Sequence, residues 1–303
     1  MLTPILFIVF NRPDTTAQVF QAIRKARPRR LYVAADGPRP ERDEARLCDS
    51  ARRTATDVDW PCELKTLFRA SNLGCKRGVA GAIDWFFEQE PEGIVLEDDV
   101  VPDASFFPYC EELLERFRAD KRVSMIGGSN FVSNHVRLDG SYGFSVYGHI
   151  WGWATWRRAW ADYDREMADW PRWRDAGGLE RLRPGDRPFI RYWRTVFDAA
   201  HAGKIDTWDY QWQFSNWRAG RLATIPAVNL TLNIGFRGDA THTKSNAPEC
   251  LRRSVPRALK FPLTHSGVLG SDAVDLSISR KVFGITWSSY VASGLRGLLR
   301  PTR

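Results

Sequence analysis

Along the first 130 positions, short uninterrupted apolar runs alternate with stretches whose apolar residues recur three or four apart. Residues 4–10 (PILFIVF) read as a strand buried on both faces. Pro13-Asp14 then opens a helix to about Lys25, with Val19, Phe20 and Ile23 on one face. A second strand over 29–36 is stopped by Gly37-Pro38, a charged helix over 41–53 follows, and a third strand covers 63–68. The pattern predicts a helix over 74–87, a fourth strand over 93–99, a helix capped by Asp103 up to Arg118, and a strand over 122–126. Strands alternating with helices at this spacing predict an α/β fold, with a doubly wound, mostly parallel sheet covered by helices on both faces. From Phe131 onward the pattern becomes Trp-rich. It predicts helices over 151–160, 188–201 and 208–217, and an apolar β-like run over 223–234. Neither an internal repeat nor a long linker interrupts the chain, and a single compact domain is expected.

Composition narrows the class. The 303 residues are 43% hydrophobic and 26% charged, which supplies a sizeable core and excludes disorder. The leading apolar run is far too short to span a bilayer, and Asn11-Arg12-Pro13-Asp14 stands where a signal peptidase would need small residues. Five scattered cysteines without a C-x-x-C pair fit a reducing compartment, so a cytoplasmic location is expected. A net charge of +8 favours anionic partners. The 44 Lys and Arg are interspersed with 36 acids, so no nucleic-acid partner is expected. Thirteen tryptophans indicate an aromatic core or ring stacking on ligands.

The chemistry-bearing residues fall where strands end. Glu97-Asp98-Asp99 follows an apolar run, and three adjacent carboxylates repel unless a cation neutralises them. Mg²⁺ or Mn²⁺, held by one or two carboxylates plus substrate phosphates, suits such a strand end; helix capping or surface pairing with Arg is the alternative. Arg12, after the first strand, can meet a pyrophosphate. Asp36 either accepts from a base or ribose or makes the turn with Gly37-Pro38. Residues 72–78, with Asn72 and Lys76, form a Gly-bounded basic loop opening a helix, an anion cradle without the P-loop or dinucleotide fingerprint. His149-Ile150-Trp151-Gly152-Trp153 offers an aromatic face to a sugar, or packs in the core.

In chain order, P-I-L-F-I-V-F-N-R-P, A-A-D-G, N-L-G-x-x-x-G-V, L-E-D-D-V-x-P-x-x-x-F-F and W-G-W-A-T-W together resemble a GT-A glycosyltransferase. The resemblance covers roughly residues 3–245, and more narrowly the order resembles N-acetylglucosaminyltransferase I and its haemolysin-like bacterial relatives. It implies that the acidic triplet serves as a D-x-D motif: Asp99 and Glu97 on a metal, Asp98 on the ribose or a metal-bound water. Asp36 would then contact the nucleobase, Arg12 the nucleotide, and Asn72 and Lys76 the donor. Trp208-Asp209-Tyr210 resembles the segment whose acid, here Asp209, is the general base; otherwise Asp209 caps a helix. His242 would reach back to the metal or diphosphate. The implied activity is a metal-dependent, inverting transfer from a nucleotide-diphosphate sugar, UDP-linked by preference, to a glycan or lipid-linked hydroxyl.

On this reading residues 1–130 bind the nucleotide sugar, 131–245 complete the acceptor and catalytic half, and 246–303 form an extension. Residues 280–303 interleave Val282, Phe283, Ile285, Trp287 and Val291 with arginines, and predict a basic amphipathic helix that docks on the core or touches a membrane surface. A sugar-nucleotide nucleotidyltransferase would need a glycine-rich loop after the first strand, where N-R-P-D stands. A basic nucleic-acid-binding or non-catalytic glycan-binding protein remains the third reading.

Overall fold

The computed structural model describes residues 1–236, 249–252, 254–265, 270 and 272–291. Its first half alternates as expected: β1 (Ile5–Val9), α1 (Pro13–Ala26), β2 (Arg30–Ala35), α2 (Ala45–Thr56), β3 (Glu63–Phe68), α3 (Gly74–Gln89) and β4 (Glu92–Glu97). Then follow β5 (Val100–Pro102), α4 (Phe106–Phe117), β6 (Val123–Gly127), β7 (Tyr142–Ser145) and β8 (Trp153–Trp156). Four helices come next: α5 (Arg157–Trp160), α6 (Trp170–Asp175), α7 (Gly178–Leu182) and α8 (Arg187–His201). The chain continues through α9 (Asp209–Arg218), β9 (Leu222–Pro226), β10 (Thr231–Asn233), α10 (Glu249–Arg252) and α11 (Asp272–Lys281).

Eight strands form one sheet in the order β3-β2-β1-β4-β8-β6-β9-β7, and β5 pairs with β10 in a separate two-stranded ribbon. The strands β3, β2, β1 and β4 are mutually parallel, with Ile5 opposite both Leu31 and Ile94. Side chains alternate across the sheet as the pleat requires. Ile5, Phe7 and Val9 face one core with α1, α2 and α4, whereas Leu6 faces the other with α3 and the Trp153, Trp208 and Trp212 rings. The sheet is thus covered on both faces, and its order reverses beside β1: β2 lies on one side and β4 on the other.

The Trp-rich segment departs from the sequence expectation. Residues 153–156 are a strand, not part of a helix, and only a single turn, α5, follows. Trp-Ala-Thr-Trp fills the gap between β4 and β6, antiparallel to both, and is buried throughout. Two flat aromatics and a β-branched threonine suit a pleated, two-sided environment, and Thr155 Oγ1 donates to the Ser124 carbonyl at 2.5 Å. The run over 223–234 is also divided. Buried Asn229 donates to the Thr231 carbonyl and accepts from Asn130 N–H, so β9 ends and β10 turns away to meet β5. Helix α4 starts three residues beyond Asp103, whose carboxylate instead accepts from the Ser105 N–H and hydroxyl.

The expected helix over 280–303 is not continuous where the chain is described. Helix α11 ends at Lys281, and a short helical turn resumes only at 287–291. Ile285 is buried, and Val282 and Phe283 pack against the same third core, which holds Trp170, Trp193, Trp217, Val274 and Ile278. Apolar residues meant for one helix face are therefore used as core, while Trp287 and Val291 stay exposed. Among the described residues, no helix is long and apolar enough to cross a membrane, and all five cysteines are free.

Candidate active site at the sheet reversal

Because β1, β2 and β4 are parallel, their carboxyl ends deliver Phe10-Asn11-Arg12, Asp36-Gly37 and Glu97-Asp98-Asp99 to one rim. Strand β8 runs the other way, so its leading residues His149 to Gly152 arrive at that rim too. A crevice outside the strand ends, where the order reverses, is where ligands bind in open α/β sheets.

The acidic triplet divides where β4 ends: Glu97 is its last residue, and Asp98 and Asp99 make the turn into β5. Asp98 is buried: Oδ2 accepts from Phe10 N–H at 3.0 Å and Oδ1 from the Arg12 guanidinium at 2.6 Å, which locks the end of β4 to the end of β1. Arg12 also reaches Asp99 Oδ2 at 3.0 Å. Both oxygens of Asp98 are thus occupied within the chain, one by Phe10 N–H and one by Arg12, and Arg12 bridges Asp98 and Asp99. Glu97 is different, since no hydrogen bond or ion pair reaches it from the described residues. Burial, with Asp99 and Asp98 alongside and Asp209 opposite, pushes its carboxyl upward, and Arg12 acts against that shift.

Asp209 lies at the first turn of α9, where Thr207 Oγ1 donates to its Oδ1. The half-buried Cys75 marks the convergence: burial raises its thiol, and Glu97, Asp209, Asp206 and Asp36 each add to the rise. The structure therefore brings Arg12, Asp36, Glu97, Asp98, Asp99 and Asp209 into one neighbourhood at the carboxyl rim of the sheet. His242 falls outside the described residues.

The remaining expected residues have evident local partners. Asp36 accepts from the N–H groups of Leu73 and Gly37, and Asn72 bridges the Gly37 carbonyl and the Gly74 N–H, so both tie the turn after β2 to the start of α3. Lys76 Nζ pairs with Glu166 at 3.0 Å. The anion cradle read at residues 72–78 exists, but a carboxylate of the chain fills it: Asp206 accepts from Cys75 and Lys76 N–H at 3.1 Å each. Asp206 went unseen in the sequence because its partners lie about 130 positions away. Glu44 was missed as well. It pairs with Arg39 and accepts from Asn11 Nδ2, joining the loops after β1 and β2.

The β5–β10 ribbon roofs the acids. Ile234 N–H donates to the Asp99 carbonyl at 2.8 Å, and Gly235 follows directly over the Asp99 side chain. Next to it, Phe236 meets Trp151 edge-on at 5.3 Å between centroids, and Trp151 meets Phe131 at 5.1 Å. Gly152 permits this approach: its φ is +70°, and a Cβ there would sit 2.7 Å from a Thr231 methyl.

A divalent ion fits the donor set by charge. Arg12 offers one positive charge against three successive carboxylates, and Glu97 and Asp99 retain oxygens that no described donor reaches. Among the described residues no three acid, His or Cys side chains form a ready cage. Mg²⁺ and Mn²⁺ need no such cage when one or two carboxylates act together with ligand phosphates.

No protein-family profile matches the chain, and no curated protein matches its sequence. Among solved structures it is similar to HddC from Yersinia pseudotuberculosis, over 56% of this chain and 86% of that one, at 11% identity and a TM-score of 0.34. Mannosyltransferase PcManGT from Pyrobaculum calidifontis, in complex with GDP-Man and Mn²⁺, matches 72% of this chain and 69% of its own at 12% identity and a TM-score of 0.40. Mouse xyloside xylosyltransferase 1, in its apo form, matches over 71% and 81% at 12% identity and a TM-score of 0.34.

Proposed function

We propose that this chain is a GT-A glycosyltransferase that moves a sugar from a nucleoside-diphosphate donor, UDP-linked by preference, to a glycan or lipid-linked hydroxyl with inversion. The observation that carries the reading is the rim outside the paired carboxyl ends of β1 and β4. There, Glu97 and Asp99 stand beside Arg12 at the reversal of a parallel sheet, and no donor among the described residues reaches the Glu97 carboxylate.

In this reading the rim around Asp36 holds the nucleoside, and Asp98 serves by fixing Arg12 and the β1 end. Glu97 and Asp99 hold Mn²⁺ or Mg²⁺, which supplies charge stabilisation to the departing diphosphate. Asp209 accepts the proton of the acceptor hydroxyl. That oxygen bonds to the anomeric carbon from the face opposite the diphosphate, and the C–O bond breaks with its electron pair leaving on the phosphate oxygen. The β5–β10 ribbon and Trp151 exclude water from the same side. Asp209 suits the base role because it lies at the same cleft as Glu97, on a different element from the donor carboxylates.

The test is a thermal-shift titration of wild type and Asp99→Ala with UDP, GDP, CMP and dTDP, each with and without Mn²⁺. A ligand that binds the native state raises the melting point by mass action. A metal-dependent rise with one nucleotide, lost in Asp99→Ala, is expected and identifies the donor base. The absence of a rise with every nucleotide would overturn the proposal.

A further inference from the structure

A cavity of about 520 Å³ opens beyond the aromatic wall of the crevice. Phe131 closes one end and touches Trp151, whose other edge meets Phe236, the residue after Gly235 and Asp99's roof. Three rings, Phe131, Trp151 and Phe236, thus run from the cavity lining to the residue after Gly235. Its floor is fixed: buried Asn229 donates to the carbonyls of Thr231 and Ser254 at 2.6 and 3.1 Å, and its carbonyl accepts from Arg257 N–H at 2.8 Å.

The charge of the lining is one-sided. Arg257, Arg280 and Lys281 line it with His135, against the single acid Glu249. Several arginines elsewhere are ion-paired, among them Arg12, Arg39, Arg118 and Arg218. Among the described residues, no side-chain hydrogen bond or ion pair engages Arg257, Arg280 or Lys281. Three cations without a described partner around a polar hollow attract an oxyanion, and Arg presents two parallel donors to phosphate or carboxylate. Ser133, Asn134 and Ser254 add hydroxyl and amide groups suited to a saccharide.

We propose that this cavity binds the acceptor and that the acceptor carries a phosphate or carboxylate recognised by Arg257, Arg280 and Lys281. The word acceptor rests on the glycosyltransferase reading; the oxyanion rests on the cavity alone. The two are separable by experiment. Inorganic phosphate, glucuronate and neutral methyl glucoside are titrated calorimetrically against the full chain without nucleotide, and UDP with Mn²⁺ against the same samples. Arg257→Gln, Arg280→Gln, Lys281→Gln and the triple variant are compared with wild type. All three residues are exposed, so the variants keep the fold, which their melting points check.

Phosphate and glucuronate should bind wild type, each single change should weaken them roughly tenfold, and nucleotide binding should be unmoved. Equal oxyanion binding by wild type and the triple variant, or no oxyanion binding by wild type, overturns the site. Nucleotide failing while the oxyanion binds overturns only the transferase reading. Vesicles of phosphatidylglycerol separate the sources: depletion of wild type but not of the triple variant assigns the anion to a lipid headgroup, and no depletion assigns it to a soluble glycan.

Discussion

A methyl group on Gly235 would lie 2.1 Å from Asp99 Oδ2 and 3.1 Å from an Arg12 guanidinium nitrogen. The Asp99 carboxylate is short and held by Arg12, so it cannot withdraw without losing that bond. Gly235→Ala should therefore displace Asp99 while the buried core is untouched. We expect metal-dependent nucleotide affinity to fall by about tenfold or more, with far-ultraviolet circular dichroism unchanged. Wild-type affinity in this variant would show that Asp99 does not need its present place.

Asp98 is the buried member of the cluster, whereas Arg12 and Asp99 are both partly exposed. Removing Arg12 leaves Asp98 inside without a counter-charge, and Arg12→Ala should cost about 3–5 kcal/mol in urea unfolding. Asp99→Asn should cost less than about 1 kcal/mol and abolish the Mn²⁺-dependent shift. Equal stability losses for the two variants would contradict this division of labour.

Asp206 connects the loop before α9 to the amino end of α3, so it positions Asp209 against the sheet. Asp206→Ala should lower stability by about 1 kcal/mol, as loss of a helix cap does, but should lower kcat by a much larger factor with donor KM unchanged. Asp206→Asn keeps an acceptor for one N–H and should recover most of kcat. Steady-state kinetics on the pair checks this: unchanged kcat in Asp206→Ala would make the contact purely structural.

Asp275 makes stability depend on pH. It is buried in α11, accepts from Ser145 Oγ at 2.6 Å, and burial pushes its carboxyl up to about 6. The folded state then binds a proton more tightly than the unfolded chain does. Stability from this group is present below the unfolded value near 3.9 and is lost as pH rises through about 6. Asp275→Asn should flatten the stability curve between pH 4 and about 6 and be no less stable than wild type at pH 7. Chemical denaturation across that range decides it.

Strands β1 and β4 were legible because a parallel strand covered on both faces must be apolar throughout, and residues 5–9 and 94–96 are. The same logic failed at residues 153–156. Their spacing of aromatics suits either a helix face or a pleat, and only the gap between β4 and β6 decides between them. At the acids, strand position was readable but orientation was not. The strand ends at Glu97, and Asp98 turns inward because Phe10 N–H and Arg12, from a distant segment, hold it. The anion cradle was recognised as a shape, yet its occupant, Asp206, lies on a distant segment. The cavity cations, split between 257 and 280–281, shared no local pattern at all.

The placement of β8 has a consequence for synthesis. Strand β4 is complete once residue 97 has emerged, but its outer edge pairs only with residues 153–156. Until those arrive, the nascent chain carries an open apolar edge, the arrangement most prone to pairing with another chain. Any fragment ending between about residues 100 and 150 inherits that edge permanently. Such a fragment, although it contains every strand-end carboxylate of the donor half, should accumulate as aggregate rather than as a small nucleotide-binding domain.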